Sequence, residues 1–208
     1  MAEARAVQPQ FPTLERQNDA DHLGMLIFLA TEVLIFGGLF AAAFTLRIEH
    51  SAQYAMASRA MHYWLGGINT AVLLTSSALV ALMVEAVRAG RARLAGWLLG
   101  GAIALGLVFL GVKVTEYAIE YRDGVVPKLS AANLHGGPHE LFMELYFAGT
   151  GLHALHVTIG LCLLGSLLWP FGRARRDRTA VLAGNAALYW HLVDIVWVFL
   201  YPTLYLAR

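Results

Sequence analysis

Two histidines three residues apart, His153 and His156, interrupt the apolar stretch "GLHALHVTIG". Side chains at positions i and i+3 of a helix share one face, about 5 to 6 Å apart at Cβ, so the pair could ligate a metal ion or a haem iron. A haem between two helices needs a histidine from each, and His191 is the residue at comparable depth in another apolar segment. One haem held by His153 or His156 with His191 therefore stays open. Hydrogen bonds across helices are the interpretation we favour.

Other ionisable side chains also lie inside apolar segments, where each costs about 2.5 to 3.5 kcal/mol on membrane-insertion scales. Glu32, in "FLATEVLIFGG", could be a proton-active carboxylate, a lipid head-group contact or a hydrogen bond that organises the bundle; a neutral, packed glutamate is the alternative. Asp194, three residues after His191, is expected to accept a hydrogen bond from a histidine or an adjacent helix. Lys113 and Glu116 have the same spacing and predict an ion pair near the membrane edge.

The segments that position these residues are membrane spans. Of the 208 residues, 58% are hydrophobic and 14% are charged, against about 25% charged in soluble domains. Apolar blocks of about 20 residues match the thickness of a bilayer core. We therefore predict an all-α, polytopic membrane protein: a five-transmembrane-helix bundle over residues 22–208, preceded by a flexible N-terminal tail, residues 1–21, whose Asn18–Asp21 segment caps the first helix. The predicted spans are residues 22–46, 63–84, 94–117, 141–169 and 181–206.

Basic residues in the connections predict the orientation, because Lys and Arg near helix ends resist translocation. Arginines concentrate in the second and fourth loops, at positions 88, 91, 93, 173, 175, 176 and 178. These loops and the N-terminus should face the cytoplasm, and the C-terminus should face the periplasm or exterior. The formal net charge of +1 does not support a nucleic-acid partner.

Several function classes find no support in the sequence. A single cysteine excludes an internal disulfide, a cysteine-rich zinc site and an iron–sulfur cluster. No glycine-rich phosphate loop, no nucleophile paired with a base and no pair of Glu-x-x-His motifs for a two-iron site is evident. An independent transporter would show an inverted repeat and broken helices, which are not evident either. Catalysis by this chain alone is poorly supported.

Five stretches, taken together, resemble subunit III of haem-copper terminal oxidases. They are "TEVLIFGGLFAAAF", "INTAVLLTSSAL", "TEY", "YFAGTGLHALHVTIGL" and "YWHLVDIVWVFLYPTLYL", in the order of that family and spread over about residues 22–206. The last two are the most specific. Larger members have seven helices, and this chain is similar to the five-helix bacterial form, which lacks the first two.

The resemblance implies a non-catalytic subunit in a bacterial cytoplasmic membrane, bound to subunit I and, directly or indirectly, to subunit II. Haems and copper would belong to the partner subunits, this chain would hold no cofactor, and phospholipid could bind between its helices. The complex would reduce O2 to water with electrons from cytochrome c, favoured by the "TEV" and "INT" segments, or from quinol. Association with a nitric oxide reductase is an alternative. Matched residues that would support proton uptake or form a buried polar network are Glu32, Glu116, His153, His156, His191 and Asp194.

Overall fold

The computed structural model describes residues 10–59, 61–122, 137–168 and 176–207, and within these residues it contains helices and no strand. The helices are α1 (Leu14–Glu49), α2 (Ser51–Arg59), α3 (Tyr63–Arg88), α4 (Ala92–Arg122), α5 (Pro138–Ser166) and α6 (Arg176–Tyr205). All except α2 are long and apolar enough to cross a membrane. The predicted all-α, five-span architecture is confirmed.

The first helix begins earlier than the sequence analysis expected. α1 begins at Leu14 rather than His22, and Thr13 is its N-cap, with Thr13 Oγ1 accepting a hydrogen bond from the Arg16 amide at 3.3 Å. The predicted cap at Asn18–Asp21 is wrong because those residues lie inside the helix. The helix continues through a polar turn that hydropathy could not assign to a span. Residues 1–9 of the predicted tail lie outside the described residues.

α6 occupies the centre of the bundle, in contact with α1, α3 and α5, while α3 and α4 pack as an antiparallel pair. A tight turn joins that pair: Gly90 has φ 74°, its amide donates to the Val87 carbonyl, and the Arg91 amide donates to the Ala86 carbonyl. This double hydrogen bond is the Schellman motif, which needs the left-handed conformation that glycine adopts without strain. α1 lies at the periphery of the bundle: 11% of the residues in its most apolar stretch are buried, against 50% in that of α6.

Short helix α2, which the sequence analysis did not predict, closes the C-terminal end of α6. The Tyr54 hydroxyl donates to the Thr203 carbonyl and the Ser58 hydroxyl to the Leu204 carbonyl, both at 2.9 Å. Residues four apart share a helix face, so one face of α2 satisfies two of the carbonyls that the last turn of a helix leaves without partners. Burial raises the pKa of Tyr54 to about 12, which keeps its phenol proton in place to donate.

Two glycines allow α4 and α5 to approach the indole of Trp190 on α6. A Cβ atom on Gly106 would lie 2.9 Å from Trp190 Cη2, and one on Gly160 would lie 2.7 Å from Trp190 Cε3. Small residues at such positions let helix backbones come close inside a membrane. This contact fixes the relative positions of the three helices that carry most of the polar residues considered below.

Candidate functional site

An acid–histidine pair, Glu32 and His156, joins α1 to α5. The histidine Nε2 lies 2.7 Å from Glu32 Oε2, and both side chains are nearly buried. The imidazole is held in place by the Leu152 carbonyl, 2.7 Å from Nδ1, and by an edge contact with the Phe36 ring. The two residues are 124 positions apart, so the fold creates this contact rather than local spacing.

The hydrogen bonds of His156 determine how many protons the pair carries. A carbonyl oxygen can only accept, so Nδ1 must carry a proton in order to donate to Leu152. The short Nε2–Oε2 contact then has two forms: an imidazolium donating to a carboxylate, or a protonated Glu32 donating to a neutral imidazole. Both forms are neutral overall and differ only in the position of one proton. That neutrality explains how a carboxyl group is accommodated in a membrane span.

His153, in contrast, makes no cross-helix hydrogen bond within the described part of the chain. Its ring is fully buried between aromatic rings, with centroids 5.5 Å from Phe109 and 5.0 Å from Trp197. Neither ring nitrogen has a hydrogen-bond partner among the described residues. The favoured interpretation of hydrogen-bonded histidines therefore holds for His156 and is wrong for His153.

His191 and Asp194, the i,i+3 pair of α6, meet α3 rather than α5. The Ser77 hydroxyl lies 2.6 Å from His191 Nδ1. Asp194 is 3% exposed and faces the same serine, but neither carboxyl oxygen makes a hydrogen bond of good geometry with a described residue. Asp194 was expected to accept from a histidine or from an adjacent helix; it faces the adjacent helix α3, but no hydrogen bond of good geometry to it is present among the described residues.

The contacts of the three histidines do not fit a single haem held between α5 and α6. His156 is bonded toward α1, His191 is bonded toward α3, and His153 is packed between aromatic rings. A bis-histidine haem needs two imidazoles aimed at one iron from opposite sides. In the described ranges, no group of three or more His, Cys, Asp or Glu side chains could hold a metal ion either.

A third polar group, the lysine cluster, comprises Lys113, Glu116 and Glu120 of α4, Tyr146 of α5 and Tyr205 of α6. The predicted ion pair is present, with Lys113 Nζ donating to Glu116 Oε2 at 2.8 Å. Both side chains are buried inside the bundle, at 2% and 0% exposure. Lys113 also donates to the Tyr205 and Tyr146 hydroxyls, and Tyr205 donates to Glu116 Oε1 at 2.8 Å.

Glu120 was missed because the predicted third span ends at residue 117. The helix instead continues to Arg122, and residues 123–136 lie outside the described residues. Glu120 is 3% exposed, and its Oε1 lies 2.7 Å from the Tyr146 hydroxyl oxygen. The usable signal was spacing: Glu120 follows Glu116 by four residues and Lys113 by seven, which places all three on one face of a helix.

The matched residues thus lie in separate groups rather than in one site. Lys113 follows Arg93, in the first turn of α4, by twenty residues, a helical rise of roughly 30 Å. The lysine cluster therefore lies toward the end of the bundle opposite the basic α3–α4 turn, while Glu32 is near the middle of α1. The acid–histidine pair is the group that combines a mid-span carboxyl, a second titratable side chain and one shared proton.

The chain is similar to known oxidase subunits over most of its length. Residues 17–207 match the family described as cytochrome c oxidase subunit III. The chain is 34% identical to cytochrome c oxidase subunit 3 of Thermostichus vulcanus over 88% of its length and 86% of that protein. It is 33% identical to cytochrome c oxidase subunit 3 of Synechocystis sp., over 90% of its own length and 76% of that protein. It is also 30% identical to a probable quinol oxidase subunit 3 of Staphylococcus aureus, over 91% of its own length and 90% of that protein.

These matches span nearly the whole described bundle and meet the expectation drawn from the five sequence stretches. The five long apolar helices are those of a multi-pass membrane protein. The chain belongs to the cytochrome c oxidase subunit III family and is a non-catalytic subunit of a haem-copper oxidase complex.

Proposed function

We propose that the chain is subunit III of a cytochrome c oxidase in a bacterial cytoplasmic membrane. It binds and stabilises subunit I, contacts subunit II directly or through subunit I, and supports proton uptake by the complex. The haems and copper belong to those partners, and this chain holds no redox cofactor. Cytochrome c is favoured as the donor because two of the three relatives above carry that name and are slightly more similar than the quinol oxidase relative.

The observation that carries the proposed role is the acid–histidine pair. One proton can move across the 2.7 Å contact between Glu32 and His156 without creating net charge inside the membrane. A pair that stays neutral while a proton moves within it can support proton movement inside the membrane. Among the residues matched to the family, Glu32 and His156 are the ones to which we assign this role.

The proposed orientation separates this role from the lysine cluster. Arg88, Arg91 and Arg93 are exposed around the α3–α4 turn, which favours placing that turn in the cytoplasm. The N-terminus would then be cytoplasmic and the C-terminus periplasmic. Glu116, at the other end of α4, would lie on the periplasmic side, so we do not assign it to proton uptake from the cytoplasm.

Phospholipid is a further proposed ligand of the bundle. α1 exposes large apolar side chains along its length, including Leu34 and Ile48. Acyl chains would cover this surface in a bilayer.

Affinity purification from native membranes tests membership and donor together. We expect a haem-copper subunit I to co-purify, and oxygen consumption to proceed with reduced cytochrome c and not with a quinol. Turnover with quinol alone would overturn the donor assignment, and reduction of nitric oxide in place of O2 would overturn the assignment to an oxygen-reducing complex. A preparation without any haem-copper subunit would overturn the proposed function.

Replacement of Glu32 by glutamine tests the role of the pair. Glu32→Gln keeps an acceptor and a donor for His156 but removes the exchangeable carboxyl proton. We expect assembly to be retained, while proton pumping and sustained oxygen consumption fall together. Glu85→Gln is the matched control, since it breaks an exposed ion pair with Arg88 at 2.9 Å and should change neither. Normal pumping in Glu32→Gln would leave the pair a packing role only.

A further inference from the structure

The lysine cluster has an imbalance of charge and of hydrogen-bond donors. It contains two carboxyl groups, Glu116 and Glu120, and one ammonium group, Lys113, all at most 3% exposed. With every group ionised, the cluster would carry a net negative charge away from water. Burying an uncompensated charge is costly, and the usual outcome is that the group takes up a proton.

The hydrogen bonds indicate which carboxyl group is neutral. Both oxygens of Glu116 accept hydrogen bonds: Oε2 from Lys113 at 2.8 Å, and Oε1 from the hydroxyls of Tyr205 at 2.8 Å and Tyr146 at 3.1 Å. Tyr146 has one proton to donate. When that proton is directed at Glu116, the 2.7 Å contact between the Tyr146 oxygen and Glu120 Oε1 requires a proton on Glu120, whose buried Oε2 has no hydrogen-bond partner in the described residues. The negative charge is therefore best placed on Glu116, next to the ammonium group, and the proton on Glu120.

The tyrosine between the two carboxyl groups provides a path for that proton. The Tyr146 oxygen lies 2.7 Å from Glu120 Oε1 and 3.1 Å from Glu116 Oε1. Glu120 can donate its proton to the Tyr146 oxygen while Tyr146 donates its own to Glu116. The bond from oxygen to hydrogen breaks on Glu120 and forms on Glu116, so the total charge of the cluster is unchanged. Lys113 and Tyr205 stay bonded to Glu116 throughout.

Glu120 lies close to the end of the helix that carries it. Glu120 lies two residues before the end of α4 at Arg122, and its neighbour Tyr121 is 76% exposed. Among the described residues, the ionisable groups that face Glu120 are Lys113, Glu116 and Tyr117 on α4, with Tyr146 on α5 and Tyr205 on α6. No cation in this set offsets the second carboxylate.

We propose that the lysine cluster is a proton-binding site in which Glu120 holds one exchangeable proton, at the end of the bundle opposite the basic α3–α4 turn. The site is distinct from the acid–histidine pair, and the proposal does not rest on the function proposed above. The ligand is a proton taken from, or released to, the aqueous phase beyond the end of α4.

Infrared difference spectra of the purified native complex test the proposal. Wild type minus Glu120→Gln should show the carbonyl stretch of one neutral carboxylic acid, shifted to lower frequency in D2O. Wild type minus Glu116→Gln should show carboxylate bands, as should the exposed control Glu85→Gln. Glu120→Gln replaces a neutral acid by a neutral isostere, so it should assemble and keep the thermal midpoint of the wild type, whereas Glu116→Gln should lower it.

Three results would overturn the proposal. Carboxylate bands in the Glu120→Gln difference spectrum would show that Glu120 is ionised. A neutral-acid band that does not shift in D2O would show that its proton does not exchange. Failure of Glu120→Gln to assemble, or a loss of thermal midpoint as large as that of Glu116→Gln, would show that the cluster needs a charge at Glu120.

Discussion

At the scale of single residues, His153 and His156 stand one helical turn apart and depend on different forces. His156 exchanges a hydrogen bond with Glu32, so its removal leaves a carboxyl group without its partner in the membrane. His153 is held by ring contacts with Phe109 and Trp197. The two imidazoles are therefore not interchangeable, although the sequence presents them as a pair.

Replacing each histidine by leucine should separate these roles. His153→Leu nearly conserves volume and removes no hydrogen bond among the described residues, so we expect a cost below about 1.5 kcal/mol. His156→Leu leaves the Glu32 carboxyl without its partner and should cost about 1 to 3 kcal/mol. The thermal midpoint of the purified complex measures both. Equal losses would contradict the different environments assigned to the two residues.

The sequence identified the ionisable residues inside the spans but not the side chains that they contact on other helices. An i,i+3 spacing establishes a shared helix face, and it correctly predicted the Lys113–Glu116 ion pair because both partners lie on one helix. It could not predict that His156 meets Glu32, since that contact depends on how α5 packs against α1. Glu120 was missed for another reason: the predicted third span ended at residue 117, although the spacing of Glu120 from Glu116 places both on one helix face.

At the scale of elements, the most informative feature is α2, which contributes a cap rather than a span. Sequence hydropathy predicted the five spans because each is an apolar run of bilayer length. It gave no signal for α2, which is short and polar, and it began α1 at His22 because the first turns of that helix are polar. Capping chemistry at Thr13 carried the missing information for α1.

Removing either hydroxyl of α2 should destabilise the end of α6. Tyr54→Phe and Ser58→Ala each leave a buried carbonyl, of Thr203 and Leu204 respectively, without its donor. We expect each to lower the free energy of unfolding by about 1 to 3 kcal/mol. Met56→Ala, on the same helix at a position 68% exposed, is the control and should change little. Thermal unfolding of the purified complex measures the effect, and a loss in the control as large as in the variants would point to α2 packing instead.

At the scale of the whole molecule, the contact between Trp190 and the glycines of α4 and α5 holds the bundle together. Gly160→Ala places a methyl group 2.7 Å from the indole, and Gly106→Ala places one 2.7 Å from a methyl group of Leu161. We expect each to cost about 1 to 3 kcal/mol through overpacking.

Matched glycines on the same helices provide the controls for this prediction. Gly165→Ala on α5 and Gly111→Ala on α4 meet no atom within 4 Å and should be neutral or slightly stabilising. The melting temperature of the complex distinguishes the two sets. A Gly160→Ala variant as stable as Gly165→Ala would show that the indole moves aside without cost.

The peripheral position of α1 has a consequence for the biogenesis of the protein. α1 leaves the ribosome before α5 and α6, yet it packs mainly against these two later helices. Glu32 is synthesised 124 residues before His156. At about 5 to 20 residues per second, translation leaves this carboxyl without its partner for roughly 6 to 25 s. A protonated Glu32, or a temporary companion such as an insertion factor, would have to hold the nascent first span in the bilayer during that interval.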